Sequence, residues 1–377
     1  MRRRLGAIAL LSAVLAALAA IAVLRLTSRA EAATCTKTVH SAQEAQTAVS
    51  KAKTGDVVCL ADGVYGPISL DARKRSPGVT LRARTPGRAV VARVKLAGRH
   101  LTIARLRLTG EVTVATGSVG MRIDRNLLIG RGRGGGYGVL VCPADPPDHC
   151  DDVSITRNRF VGRFDEDAIR ANVYHDGPDA DRDGLLIEDN EFTGNVEYGG
   201  HNDVFQSVWV GDHLVFRGNY LHDFGGQGFF VKDQASAIDG LVVEDNLIIR
   251  QDRRCEPASL CPGFQLSPFQ IFGPIRNGVI RHNTVWPGRG GGFAVLRGTG
   301  WSSTTVSDNV FGAFGRDPTV DVAGANNTRC SSNGRWPSVP GTTRACAPRF
   351  EDPGQGDYRL RGGRGVRWRV SAKHFGP

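Results

Sequence analysis

Methionine is nearly absent from this chain, with 2 in 377 residues, while glycine reaches 48. With Val, Ile, Leu and Thr plentiful, that balance suggests short strands joined by many turns. No dense basic run with interleaved aromatics occurs, so a nucleic acid is not expected as a partner. No C-x-x-C pair occurs either, which argues against zinc at Cys142, His149 and Cys150. Regularly spaced leucines are missing, so a leucine-rich repeat is excluded, and the units described below are too short for the four-stranded, ~40-residue blade of a propeller. Gly130 to Gly136 do not sit between a strand and a helix, so they are no dinucleotide-binding turn and read as a flexible basic loop.

Long apolar runs are also scarce, apart from one at the start. Arg2, Arg3 and Arg4 precede an uncharged stretch from Leu5 to Leu24, and Ala30-Glu31-Ala32-Ala33 follows with small residues suited to signal-peptidase cleavage. Residues 1–33 are read as a secretory signal, with an uncleaved membrane anchor as the alternative because the run is long enough to span a bilayer. Either way the remainder is secreted or held on the extracellular face. Cys35 lacks the preceding apolar-small-small triplet of a lipoprotein. Residues 1–32 contribute +4 of the formal net charge of +11, leaving +7. A basic extracellular protein is drawn to polyanions such as an acidic polysaccharide.

The cysteine count is 8. An even number behind a secretory signal argues for disulfides. Proximity in sequence suggests the pairs Cys35 with Cys59, Cys142 with Cys150, Cys255 with Cys261, and Cys330 with Cys346.

One pattern recurs: apolar, any, apolar, any, any, Asn, any, apolar. It runs over Met121–Leu128, Val153–Phe160, Leu186–Phe192, Leu214–Leu221, Leu241–Ile248, Val279–Val285 and Thr305–Phe311. The asparagines stand at 126, 158, 190, 219, 246, 283 and 309, at intervals of 32, 32, 29, 27, 37 and 26. Alternation within each unit has the period of a strand, not of a helix. Asparagine suits a corner, because it tolerates left-handed backbone and its amide can stack on the next coil. A single such coil cannot bury its own apolar face, so the coils must stack into a solenoid. At the front, His40–Ala52 reads as an amphipathic helix capped by Ser41 with Glu44 three residues on, placed to cover the first coil. At the far end Phe350–Leu360 reads as a terminal strand.

These features carry a resemblance. The opening Gly55-Asp56 to Gly63-Val64-Tyr65, the seven asparagine corners and the closing Gly356-Asp357-Tyr358-Arg359-Leu360 resemble the pectate-lyase-like right-handed parallel β-helix superfamily. The opening is most similar to the chondroitinase-B and alginate-lyase branch. The likeness spans roughly residues 36–361. It implies an all-β, right-handed parallel β-helix with a short N-terminal capping helix, in a domain of residues 34–361 followed by a tail of residues 362–377. A monomer is expected.

Aligning the coils on their asparagines brings the following strands side by side: Glu166–Arg170, Asn202–Gln206, Gly228–Asp233, Phe269–Phe272 and Gly292–Arg297. Equivalent positions on successive coils would lie ~4.8 Å apart and line one groove. His201, Asn202, Asp203 and Gln206 fall on one coil, and His222, Asp223, Gln227, Lys232, Asp233 and Gln234 on the next. Arg170 and Asp167 stand one coil earlier and Arg297 two coils later. Trp209, Phe224 and Tyr198 are candidate exposed platforms for a sugar ring.

Within the superfamily, lyases remove the proton beside a uronate carboxylate and expel the glycosidic oxygen. The resemblance therefore implies a base and a cation. Lys232 is the leading base, although a lysine serves only if its pKa falls below the ordinary value of about 10.4, and Asp203 and Asp233 would act the other way. His201 and His222 are the second candidates, since imidazole titrates near neutral pH. Arg170, or a Ca²⁺ held by Asp167 and Asp203, would neutralise the substrate acid. Gln206, Gln227, Arg297 and Trp209 complete the expected binding set. Lys232 with Arg297 would imitate the Lys and Arg pair that alginate and chondroitin lyases draw from separate coils. Two other readings stand beside the lyase. A glycoside hydrolase would use Asp203 and Asp233 as its two carboxylates, although the paired-Asp, Gly-His-Gly and Arg-x-Lys set of polygalacturonases is missing. A non-catalytic β-helix would bind cell-wall or matrix glycans.

Overall fold

The computed structural model describes residues 34–132, 134–143, 149–175, 184–195, 202–208, 211–232, 237–249, 267–286, 294–331, 337–344, 350–352 and 357–360. From Lys37 onward the chain winds as a right-handed parallel β-helix. Each coil contributes one short strand to each of three parallel sheets. Coil five, for example, runs through Val153–Thr156, Arg159–Arg163 and Ile169–Ala171. The first sheet has 12 strands, from Lys37–Val39 to Ala323–Ala325. The second and third sheets join at Val310–Arg316, which pairs with Thr284–Trp286 in one and with Ala294–Arg297 in the other.

The alternation seen in sequence is the alternation of burial. Ile68–Arg73 is buried at every second residue, as a strand with one face on the core requires. Inward positions stack into columns of like side chains. Phe205, Phe229 and Phe269 follow one another in the third sheet with ring centroids 5.3 Å apart, and Phe160 lies 4.5 Å from Phe192 in the second.

The asparagine corners form one continuous side-chain ladder. The Oδ1 of Asn158 accepts from the backbone N–H and the Nδ2 of Asn126 at 2.8 and 3.1 Å, and Asn158 Nδ2 donates to Ile123 O at 2.7 Å. The same arrangement repeats through Asn190, Asn219, Asn246, Asn283 and Asn309. It gains an eighth rung at Asn327, and at the front Asn126 Oδ1 accepts from Leu106 N–H instead. The left-handed backbone falls one residue earlier than expected. Arg125, Arg157, Asp189, Asp245, His282, Asp308 and Asn326 have φ between 53° and 55°, and Gly218 takes φ 64°. The asparagine itself is selected by its amide, which donates and accepts at once.

The front helix spans Ala42–Lys51 with Ser41 as its cap. Ser41 Oγ accepts from Glu44 N–H at 3.1 Å and Glu44 Oε2 accepts from His40 N–H at 2.9 Å, a reciprocal capping box. Its buried residues Ala45, Ala48 and Val49 join the core. At the other end Phe350–Asp352 and Asp357–Leu360 pair antiparallel, so the expected single terminal strand is a hairpin.

Cys142 and Cys150 are joined, with Cα atoms 5.8 Å apart, and Cys35 and Cys59 are disulfide-bonded. Cys255, Cys261 and Cys346 lie outside the described residues, as does the side chain of Cys330. The N-terminal apolar run, residues 1–33, and the tail, residues 362–377, lie outside them too. Among the described residues no helix is long and apolar enough to cross a membrane.

Candidate active site

The third sheet presents two outward columns. One runs Leu140, Arg170, Gln206, Phe230, Gln270, Val295. The other, two residues along each strand, includes Lys232, Phe272 and Arg297 in register. Each of these six strands is fixed by its inward neighbours, so the outward residues are held by the core beneath them.

In the second column two cations share one ring. Lys232 Nζ lies 5.8 Å from the centroid of Phe272, and Arg297 Cζ lies 5.0 Å from it. Phe272 also meets Phe230 edge-on at 5.8 Å. Lys232 is exposed and has no ion pair among the described residues. Arg297 approaches Asp317 at 4.0 Å. Cations over an aromatic face are attracted to its negative quadrupole, so Phe272 draws one cation from the coil before it and one from the coil after. Phe230 and Phe272 carried no role in the sequence reading. Their signal was an apolar residue at an outward strand position.

Arg170 follows Leu140 in the first column. Its Nη1 lies 3.5 Å from Asp167 Oδ2 and its Nε donates to Asn172 Oδ1 at 3.3 Å. Tyr137 stands in its vicinity with a hydroxyl pKa raised by burial first and then by the charges of Glu166 and Asp167. Gln206, Gln227 and Gln270 are each more than nine-tenths buried. Gln227 Nε2 donates to Gln270 Oε1 at 2.9 Å, and Gln227 Oε1 has no partner.

Several expected residues have other work. Asp203 is 1% exposed. Its Oδ1 accepts from Gln227 N–H at 3.0 Å and its Oδ2 from Gln206 Nε2 at 2.8 Å. Asp167 Oδ1 in turn accepts from Asp203 N–H at 2.8 Å. These carboxylates tie coils together at the corner before the third sheet, and their second oxygens meet Arg170 and Gln206 of the outward column. A calcium ion between them does not fit, because their oxygens already point at hydrogen-bond donors. Among the described residues no group of three or more His, Cys, Asp or Glu is arranged to hold a metal ion. Burial pushes the Asp167 carboxyl from 3.8 up to about 7, against the opposing pull of Asp203 N–H and Arg170.

His222 belongs to the second sheet, on Tyr220–His222, and not to the strand of Lys232. It is clamped between Asp223 Oδ2 at 3.0 Å and Glu191 Oε1 at 3.1 Å and stacks on Tyr220. Phe224, expected as an exposed platform, is fully buried in the core. His201, Trp209, Asp233, Gln234 and Tyr198 lie outside the described residues.

A family model described as Chondroitinase B matches residues 39–115. The fold is a parallel β-helix, and its opening coils are similar to that family. The match covers the first three coils and ends before Arg170, so it does not reach the site. Solved structures with this fold include a mannuronic acid specific polysaccharide family 6 lyase from human gut microbiota, at 16% identity over 85% of this chain and 93% of that one with a TM-score of 0.42. The family 6 alginate lyase AlyGC aligns at 14% identity over 90% of this chain and TM-score 0.47, and the chain spans only 58% of its length. Pectate lyase Pel9A aligns at 14% identity over 90% of this chain and 91% of its own, with a TM-score of 0.40. No curated protein matches the chain.

Proposed function

We propose that this protein is an extracellular polysaccharide lyase that cleaves an acidic polysaccharide by β-elimination on the outer face of the third sheet. The observation that carries this reading is the placement of Lys232 and Arg297 over the same Phe272 ring. β-Elimination of a uronate needs a base at one carbon and a positive charge at the attached carboxylate, a few ångströms apart. The ring supplies an apolar platform for the sugar between them.

In this scheme Arg297 binds and neutralises the uronate carboxylate, which acidifies the neighbouring C–H. Lys232 takes that proton, the C–O bond to the departing sugar breaks, and the electron pair left on carbon becomes the new C=C bond. The proton gained by Lys232 can then pass to the departing oxygen. This step requires the amine of Lys232 in its neutral form. Arg170, along the same face, is suited to the carboxylate of a neighbouring sugar unit. No step is routed through calcium, since Asp167 and Asp203 are committed to backbone and amide donors. The same burial argues against Asp203 as one carboxylate of a hydrolase, which must reach the glycosidic oxygen or its water. The disulfides at Cys35, Cys59, Cys142 and Cys150 support an oxidising, extracellular setting.

The test is turnover. The protein is incubated with alginate, polygalacturonate, chondroitin and a neutral glucan, with Ca²⁺ or with chelator. Ultraviolet absorbance of unsaturated uronate ends is followed beside reducing ends. Both should rise together on at least one acidic polymer. Reducing ends alone would replace the lyase with a hydrolase, and silence on every polymer would leave a glycan-binding module.

A further inference from the structure

The first sheet has its own outward face, well away in sequence from Lys232. Across five consecutive coils its central column reads Thr80, Thr102, Arg122, Ser154, Leu186. At ~4.8 Å per coil this row is about 19 Å long. It forms the floor of a cavity of about 640 Å³, walled by Pro77 and Asp152 on one side and by Asp124, Arg157, Glu188 and Asp189 on the other.

Four carboxylates line the walls, and two of them are paired with arginines. Asp124 Oδ1 accepts from Arg157 Nε at 2.9 Å and from Thr156 Oγ1 at 2.9 Å. Glu188 Oε1 accepts from Arg217 Nε at 2.6 Å, and Asp152 and Asp189 are not without partners. Arg122 differs. It is exposed at the centre of the row and makes no ion pair or hydrogen bond among the described residues. Its flanks in the column are hydroxyls, Thr102 on one coil and Ser154 on the next. Three coils further on, the same column turns aliphatic at Val215, Val242 and Val279, so the polar row is confined to the first half of the solenoid.

We infer that this row is a second glycan-binding site, in which Arg122 takes one carboxylate or sulfate of an acidic polysaccharide and the Thr80, Thr102 and Ser154 hydroxyls bond its ring hydroxyls. The guanidinium of Arg122, exposed and without an ion pair among the described residues, is suited to an anion, and the hydroxyls at coil spacing suit a chain of sugars laid along the axis. The site is separate from the Lys232 face and serves to hold a long polymer. Its ligand class follows from its own lining, so it does not depend on the protein being a lyase.

Binding is measured by affinity electrophoresis and titration calorimetry with alginate, heparin and the neutral glucan dextran, on the full chain carrying Lys232→Ala and Arg297→Ala. This background should retain at least one acidic polymer and not dextran, and adding Arg122→Ala should weaken that binding at least tenfold, with Arg122→Glu weakening it further. Arg122 is exposed, so neither change should alter the unfolding transition. Binding unchanged within twofold on removing Arg122, no binding of either acidic polymer, or equal binding of dextran would each overturn the inference. If the wild-type protein also cleaves a polymer, Arg122→Ala should raise KM for the long polymer severalfold and leave kcat and the KM for a short oligosaccharide unchanged. Loss of turnover on every substrate together with Arg122-dependent binding would sink the lyase reading and keep this site.

Discussion

Two side-chain ladders run along this solenoid, and they differ in one chemical respect. The asparagine ladder between the first and second sheets continues through eight coils, from Asn126 to Asn327. Among the described residues the ladder before the third sheet holds Asp167, Asp203 and Gln227. An amide both donates and accepts, so asparagine can stack on asparagine without limit. An ionised carboxylate only accepts, so Asp203 cannot stack on Asp167 side chain to side chain and must use backbone N–H groups instead. That ladder ends at Gln227, whose Oε1 is left without a partner. The coils where it breaks are those that carry Lys232, Phe272 and Arg297. A regular ladder specifies structure alone, and its interruption accompanies the residues of the proposed site.

The largest expected effect separates these two kinds of residue. Lys232→Ala should lower turnover on the cleaved polymer about a thousandfold, roughly 4 kcal/mol of activation free energy, and leave the urea midpoint unchanged. A loss of stability in place of activity would put Lys232 among the structural residues. Next, Asn190→Ala removes bonds to Ile155 O and Asn219 Oδ1 and strands the N–H and amide of Asn158. It should destabilise the protein by about 3 kcal/mol in urea unfolding, with KM unchanged for whatever protein remains folded. If stability holds, the amide ladder is ornamental and the contrast fails.

Asp203→Ala should come next, with about 2 kcal/mol lost through the orphaned Gln227 N–H and a smaller drop in kcat than at Lys232. An inactive Asp203→Asn protein with an unchanged urea midpoint would restore the hydrolase. The smallest effect is a slope. Because the folded Asp167 has its pKa raised to about 7, the folded state holds a proton that the unfolded chain gives up. Its contribution is complete below the unfolded value near 3.8 and is lost as pH rises through 7. The urea midpoint should therefore decline between pH 4 and 7, and Asp167→Asn should flatten that decline.

Much of this was readable beforehand. The recurring Asn fixed the coil, the alternation fixed the inward faces, and Ser41 with Glu44 fixed the helix start. The eighth rung escaped because Asn327 follows Ala325-Asn326 without the flanking alternation. The structure sets Lys232 and Arg297 against one ring and buries Asp203. Asp203 and Lys232 both looked like groove residues when the coils were aligned as strings. His222 was placed with Lys232 by nearness in sequence, whereas the corner at Phe224 turns the chain onto another sheet between them. Phe224 looked like a platform because a linear reading cannot tell an aromatic at a corner from one on a face.

By itself the sequence determined the repeat, the parallel stacking, the capping helix and the cysteine pairs at Cys35 with Cys59 and Cys142 with Cys150. These depend on local periodicity and on patterns that recur every coil, which a single chain displays directly. Only the tertiary structure decided that Asp167 and Asp203 face their neighbouring coils, that Phe272 gathers Lys232 and Arg297, and that Arg122 stands exposed without an ion pair among the described residues. Each of those depends on which residue of one coil lies beside which residue of the next. Loops of unequal length change that register, and side chains settle it by finding partners across it.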